Sequence, residues 1–188
     1  MKRIIGIISS IFLVLTSHTL TANTNEDMNY FTNADEPSSV INVVTTLSII
    51  SDWAGQIGDS LFTPISVVTG SEDPHTYSLT SGEILMIGES DLFIRFGLPG
   101  LEPWVQSVLD AFPSLNVLSL ASEEMMIIDP VTGVLNEHLW MSPIIVKSFV
   151  SNITTSIISL DFVNRNSYES NRDSYLSELD ELIFDIED

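Results

Sequence analysis

Ile41-Asn42-Val43-Val44-Thr45-Thr46-Leu47-Ser48-Ile49-Ile50-Ser51-Asp52-Trp53-Ala54-Gly55-Gln56-Ile57 changes its period once, near Leu47. Before that point the residues form a β-branched run, which favours a strand. After it the apolar residues fall at 47, 50, 53, 54 and 57, the spacing of one helix face. Gly58 and Asp59 close the helix. A strand that runs straight into a helix is the first half of a strand–helix–strand unit.

The chain repeats this alternation. Residues 62–68 make a second apolar strand, broken by Gly70. Thr80-Ser81-Gly82-Glu83 has the Thr-x-x-Glu form of a capping box, so a short helix begins there and runs to about Gly88. Asp91-Leu92-Phe93-Ile94-Arg95-Phe96 is the third strand, ended by Gly97 and Pro99-Gly100. Pro103 opens a helix that carries Trp104, Val105, Val108, Leu109 and Phe112, and Pro113 stops it. Asn116-Val117-Leu118-Ser119-Leu120 is the fourth strand. The pattern predicts an α/β fold, a four-stranded parallel sheet with helices on both faces. The strands are short and apolar without clean alternation, as doubly buried strands are. Right-handed crossovers put the loops that follow the strands on one edge, where such sheets take ligands.

Residues 121–137 form an irregular connection. Ser142 followed by Pro143 then starts a helix to about Leu160, with Ile145, Phe149, Ile153 and Ile157 on one face. It contains the sequon Asn152-Ile153-Thr154. Residues 166–188 are the last helix, with Tyr168, Tyr175, Leu179, Leu182 and Ile186 as its apolar stripe. No glycine or proline ends that stripe, which is expected to stay partly uncovered. Trp53, Trp104 and Trp140 are expected at core edges, and the acidic residues of 180–188 on a solvated face.

The 188 residues hold 26 acidic and 6 basic side chains, a formal net charge of −20. Such a balance excludes nucleic acid as a partner and disfavours an anionic membrane surface, while it draws cations towards the protein. The absence of cysteine excludes disulfides, thiolate metal sites, cysteine nucleophiles and a thioether-linked lipid anchor. Residues 1–22 have the basic start, short apolar run and small-residue exit of an export signal, either cleaved or kept as an anchor. Residues 23–40 are polar and acidic, a flexible tether. The expected location is therefore extracellular or periplasmic, tethered to the cell surface if the signal stays.

Two histidines lie beyond the signal, each in a short polar loop after an apolar run. They are His75 in Ser71-Glu72-Asp73-Pro74-His75-Thr76-Tyr77 and His138 in Asn136-Glu137-His138-Leu139-Trp140-Met141-Ser142-Pro143. Neutral imidazole is the commonest protein ligand for divalent metals such as zinc, so the two would form half of a metal site if the loops meet.

Taken together, the motifs resemble the N-terminal lobe of the zinc- and manganese-handling solute receptors of ABC importers, the ZnuA/TroA-like family. The resemblance runs from about Ile41 to the end of the chain. Gly70-Ser71-Glu72-Asp73-Pro74-His75-Thr76-Tyr77 is similar to the family's Gly-x-x-Asp-Pro-His-x-Tyr loop. Ser90-Asp91-Leu92, with Gly97 and Leu101-Glu102-Pro103-Trp104, resembles its Ala-Asp-Leu … Gly-x-x-Leu-Glu-x-Trp stretch. His138-Leu139-Trp140-Met141-Ser142-Pro143 looks like its His-x-Trp-Leu-Asp-Pro loop. Tyr168, Asn171, Tyr175 and Leu179-Asp180 fit the start of the long helix that joins the two lobes.

The resemblance implies a metal-binding lobe over 41–164 and a linking helix over 165–188, cut short. It implies His75 and His138 as metal ligands, with a divalent metal (zinc ahead of manganese) as cargo. The implied partners are an ABC permease in the membrane and a second lobe, here a separate chain if the gene product is complete. Asn136-Glu137 stands where the family has Asp-Pro, and Ser142 where it has Asp. Residues 121–137 have Glu123, Glu124 and Asp129 but no acidic, histidine-rich loop. Glu137 or Asp73 is expected to orient an imidazole through its second nitrogen. Two other readings stand beside this one. A metal-dependent hydrolase would use Glu137 or Glu72 as general base; an adhesion module or non-functional remnant would keep the fold without the metal.

Overall fold

A computed structural model describes residues 40–187 apart from Pro99, Thr132 and Val134. The export signal over 1–22 and nearly all of the acidic tether over 23–40 lie outside the described residues. β1 (Val43–Leu47) passes without a break into α1 (Ser48–Gly58), where the sequence changes period. β2 (Ile65–Val68), α2 (Ser81–Gly88), β3 (Leu92–Arg95), α3 (Val105–Ala111) and β4 (Val117–Ser119) follow. All three strand pairs are parallel, in the order β2-β1-β3-β4.

The chain moves left from β1 to β2 and then right to β3 and β4. Right-handed crossovers therefore place α1 on one face and α2 with α3 on the other. The reversal falls between β1 and β3, which makes the ends of these two strands the switch point of the sheet.

α4 (Pro143–Leu160) and α5 (Arg165–Glu187) pack against each other and against α1. Val43, Val44, Ile50, Phe93, Ile94, Phe96, Phe149 and Ile153 are wholly buried between these layers. Trp53 meets Phe96 edge-on at 6.0 Å between centroids and Phe149 at 5.8 Å, which joins α1, the residue that follows β3, and α4 in one aromatic cluster. Asn171 of α5 donates to the carbonyl of Ile57 at 2.9 Å, satisfying a carbonyl that the end of α1 leaves open. Tyr168 is fully buried and its hydroxyl donates to Asp161 at 2.7 Å, fixing the bend between α4 and α5; burial pushes that hydroxyl's pKa well up.

The local signals hold. Thr80 and Glu83 form the reciprocal capping box of α2, and Ser142 caps α4 with Pro143 in its first turn. Two expectations change, and two features gain detail. Residues 121–137 are not wholly irregular: they include a 3-10 turn and a two-stranded antiparallel hairpin of β5 (Ile127–Ile128) and β6 (Leu135–Asn136). The buried side of α4 is wider than the four-residue stripe: Val146, Val150 and Thr154 lie inside with Phe149, Ile153 and Ile157, while Ile145 is partly buried, since α5 and α1 both cover the helix. The sequon is absorbed by α4, where Thr154 is buried and its hydroxyl donates to the carbonyl of Val150 at 2.8 Å. Asp180 is exposed, as expected of the acidic residues of 180–188, and it also pairs with Lys147, which ties α5 to α4. The stripe of α5 does run out of cover: Leu179 is buried, whereas Leu182 and Ile186 are exposed, as is Phe184 beside them.

Candidate metal centre

The switch point is built around a buried carboxylate. Glu102 is 5 % exposed and accepts from the Thr46 hydroxyl near the end of β1. It also accepts from the backbone N–H of Phe96 at 3.2 Å and of Gly97 at 3.1 Å. Burial raises its pKa, and these hydrogen bonds oppose the rise. Gly97 is held at φ +83°, and a Cβ there would stand 3.0 Å from the Cβ of Ser119, so glycine is required. Glu102 thus fixes the loop after β3 against the end of β1.

That loop in turn holds the loop that follows β2. The indole N–H of Trp104 donates to the carbonyl of Pro74 at 3.2 Å. Tyr77 stacks edge-on against Trp104 at 5.9 Å and donates to Glu83 at 2.7 Å, a bond that pushes its phenol pKa up to about 12. Asp73 closes the turn from within by accepting from the backbone N–H of His75 at 3.0 Å. Between these anchors, His75 places Nδ1 2.9 Å from the carbonyl oxygen of Gly100. A carbonyl only accepts, so Nδ1 carries a proton.

His138 is arranged by the same logic. Asn136 Oδ1 lies 2.9 Å from its backbone nitrogen and 2.8 Å from its Nδ1. The backbone N–H identifies the Asn136 atom as the acceptor oxygen, so Nδ1 again holds a proton. The ring stands on Trp140 at 5.0 Å, and Trp140 on the buried Phe96 at 5.0 Å, so the His138 loop is seated on the core.

The two histidine loops do meet, and Glu137 joins them: its Oε1 lies 3.1 Å from His75 Nε2. Of the two carboxylates expected to orient an imidazole, Glu137 reaches a ring nitrogen, Nε2 of His75, and Asp73 accepts from its own turn; Gly100 meets Nδ1 of His75 and Asn136 meets Nδ1 of His138. Among the described residues, no three His, Asp or Glu side chains converge as a ready-made metal cluster. The general base of the hydrolase reading also finds no support in Glu72. Bonds from the Ser71 hydroxyl and from Thr69 hold its carboxyl below the usual range, away from the near-neutral pKa that a base needs.

The model for the periplasmic zinc-uptake complex component A, ZnuA, matches residues 43–188. The chain belongs to that family. The family is one of solute-binding receptors and not of enzymes. The chain is 26% identical over 165 residues to the high-affinity zinc uptake system protein ZnuA of Bacillus subtilis, covering 80% of this chain and 51% of that protein. It is 25% identical over 152 residues to the manganese-binding lipoprotein MntA of Halalkalibacterium halodurans, covering 80% and 50%. Among solved structures, the metal-dependent lipoprotein YcdH of Bacillus subtilis superposes with a TM-score of 0.65 at 27% identity, covering 76% of this chain and 53% of that one. This member of the ZnuA family therefore spans about half the length of the curated relatives it matches.

Sequence reasoning singled out His75 and His138 but missed Gly100 and Asn136 as the groups that meet their Nδ1 atoms. It also missed Trp104 as the clamp on Pro74. Asn136 left one signal, its place two residues before a histidine, where an Asx side chain turns back onto the following backbone.

Proposed function

We propose that this chain is the first lobe of an extracytoplasmic receptor that captures a divalent metal, zinc ahead of manganese, through Nε2 of His75 and His138. The lobe covers 41–164, and α5 begins the helix that leads to a second lobe, whether on the same or another chain. Export through 1–22 and tethering through 23–40 place it outside the cytoplasm, beside the ABC permease that receives the metal.

One observation carries the reading. Nδ1 of each imidazole meets an oxygen acceptor, Gly100 O or Asn136 Oδ1, so in both rings Nε2 is the nitrogen left to a metal. Such a partner on the second nitrogen is the usual support of a ligating histidine. The ZnuA-family match over the same residues points the same way. Nitrogen ligands favour zinc over manganese, which prefers oxygen.

Calorimetric titration of the full chain with zinc is expected to give a saturable heat, and excess manganese is expected not to displace the zinc. The His75→Ala, His138→Ala double variant is expected to give no saturable heat. Equal heats from the two proteins would remove the metal reading.

A further inference from the structure

Phe184 has no place on the apolar line of α5. Successive helix residues turn by about 100°, so Phe184 stands roughly 200° from Leu182, across the helix from the side that carries Leu179 into the core. Its ring is 65% exposed. Asp180 precedes it by one turn and pairs with Lys147 of α4. Tyr168 meets Asp161 at the bend and Asp180 meets Lys147 far from it, so α4 and α5 run antiparallel. Ile144, one turn before Lys147, therefore lies level with Phe184. It is 64% exposed.

The ground beside these two apolar side chains is acidic. Asp180, Glu181, Phe184 and Asp185 line an open depression of about 440 Å³. Lys147 is the one basic residue of α4, and Asp180 takes it. No basic residue follows Arg172 in the sequence, and Glu181 and Asp185 are exposed. A surface of this sign repels a second copy of the chain and an anionic lipid surface alike. What it complements is a helix with one apolar face and Lys or Arg along its edges. The cations of such a helix meet carboxylates, while its alkyl stems lie over the phenyl ring.

We propose that this groove between α4 and α5 docks a cationic amphipathic helix of a partner polypeptide. Ile144 and Phe184 are its apolar contacts, and Glu181 and Asp185 its ion-pair partners. The docking uses neither histidine and requires no metal.

The test uses the full chain without metal at about 0.15 M salt and two labelled synthetic peptides of about 18 residues, roughly five helical turns. Both contain the same lysines and leucines; one sets the leucines along a single helix face, and the other scatters them. Fluorescence anisotropy is expected to show saturable binding of the patterned peptide, at least about tenfold tighter than that of the scattered one. The Ile144→Gln, Phe184→Gln double variant alters only exposed side chains and keeps the charge. It is expected to melt as the wild type does and to bind the patterned peptide no better than the scattered one. Leu182→Gln with Ile186→Gln, on the other side of α5, is expected to leave binding unchanged. Equal wild-type affinity for the two peptides would reflect only the diffuse pull of a chain with net charge −20, and it overturns the proposal. So does the absence of saturable binding, an Ile144→Gln, Phe184→Gln protein that binds as wild type, or a loss produced by the Leu182 and Ile186 variant instead. Should the first double variant melt lower, Glu181→Lys with Asp185→Lys carries the comparison: a greater loss for the patterned peptide supports the groove, and an equal loss for both peptides overturns it.

Discussion

Glu102→Ala is expected to destabilise the fold by about 3–5 kcal/mol, read as a lower urea midpoint at unchanged slope. The carboxylate is the sole acceptor described for the N–H groups of Phe96 and Gly97, and it also takes the Thr46 hydroxyl. Its loss strands these donors in a dry part of the switch point, at about 1–3 kcal/mol for each unsatisfied buried group. Glu102→Gln is expected to cost less, because an amide oxygen replaces one acceptor while its NH2 group faces the other donors. pH adds a second readout. The folded pKa of Glu102 is raised by burial, so its contribution to stability is full below the unfolded carboxylate pKa and is lost as pH rises through the folded one. Glu102→Gln removes that fall above the ordinary carboxylate range. A Glu102→Ala protein within about 1 kcal/mol of wild type would contradict the assigned role.

Phe96→Ala is expected to cost a similar amount, about 3–5 kcal/mol, the range for emptying a buried aromatic site. Phe96 is fully buried and touches Trp53, Trp140 and Phe149, so the cavity would open where α1, α4 and the His138 loop meet. The effect reaches past stability. Trp140 rests on Phe96 and His138 rests on Trp140, so removing the ring loosens the seat of one proposed ligand. Zinc affinity is expected to fall together with the unfolding midpoint, measured well below the melting temperature of the variant. A large loss of stability with unchanged zinc affinity would show that His138 does not depend on this stack.

The parts of the fold legible in the sequence are those fixed by neighbours along the chain. The period change at Leu47, the Thr80–Glu83 box and the Ser142–Pro143 start each rest on contacts within four residues, and each appears where the pattern puts it. The hairpin of β5 and β6 escaped because strands of two residues are too short to show alternation. The site divides along the same line. Asn136 and His138 are two residues apart, so their bond lies within reach of local reasoning. The Gly100 carbonyl meets His75 from 25 residues away, with α2 and β3 between them, and no local pattern encodes it. A longer separation, from residue 75 to residue 137, hid the contact between Glu137 and His75 Nε2.

Zinc-edge X-ray absorption of the zinc-loaded chain, repeated on the His75→Ala and His138→Ala single variants, tests whether one ion is shared by both rings. Two imidazole nitrogens at about 2.0–2.1 Å are predicted for the wild type, with one nitrogen lost in each variant. A shell made of oxygen alone, or one that either variant leaves unchanged, would contradict the shared site.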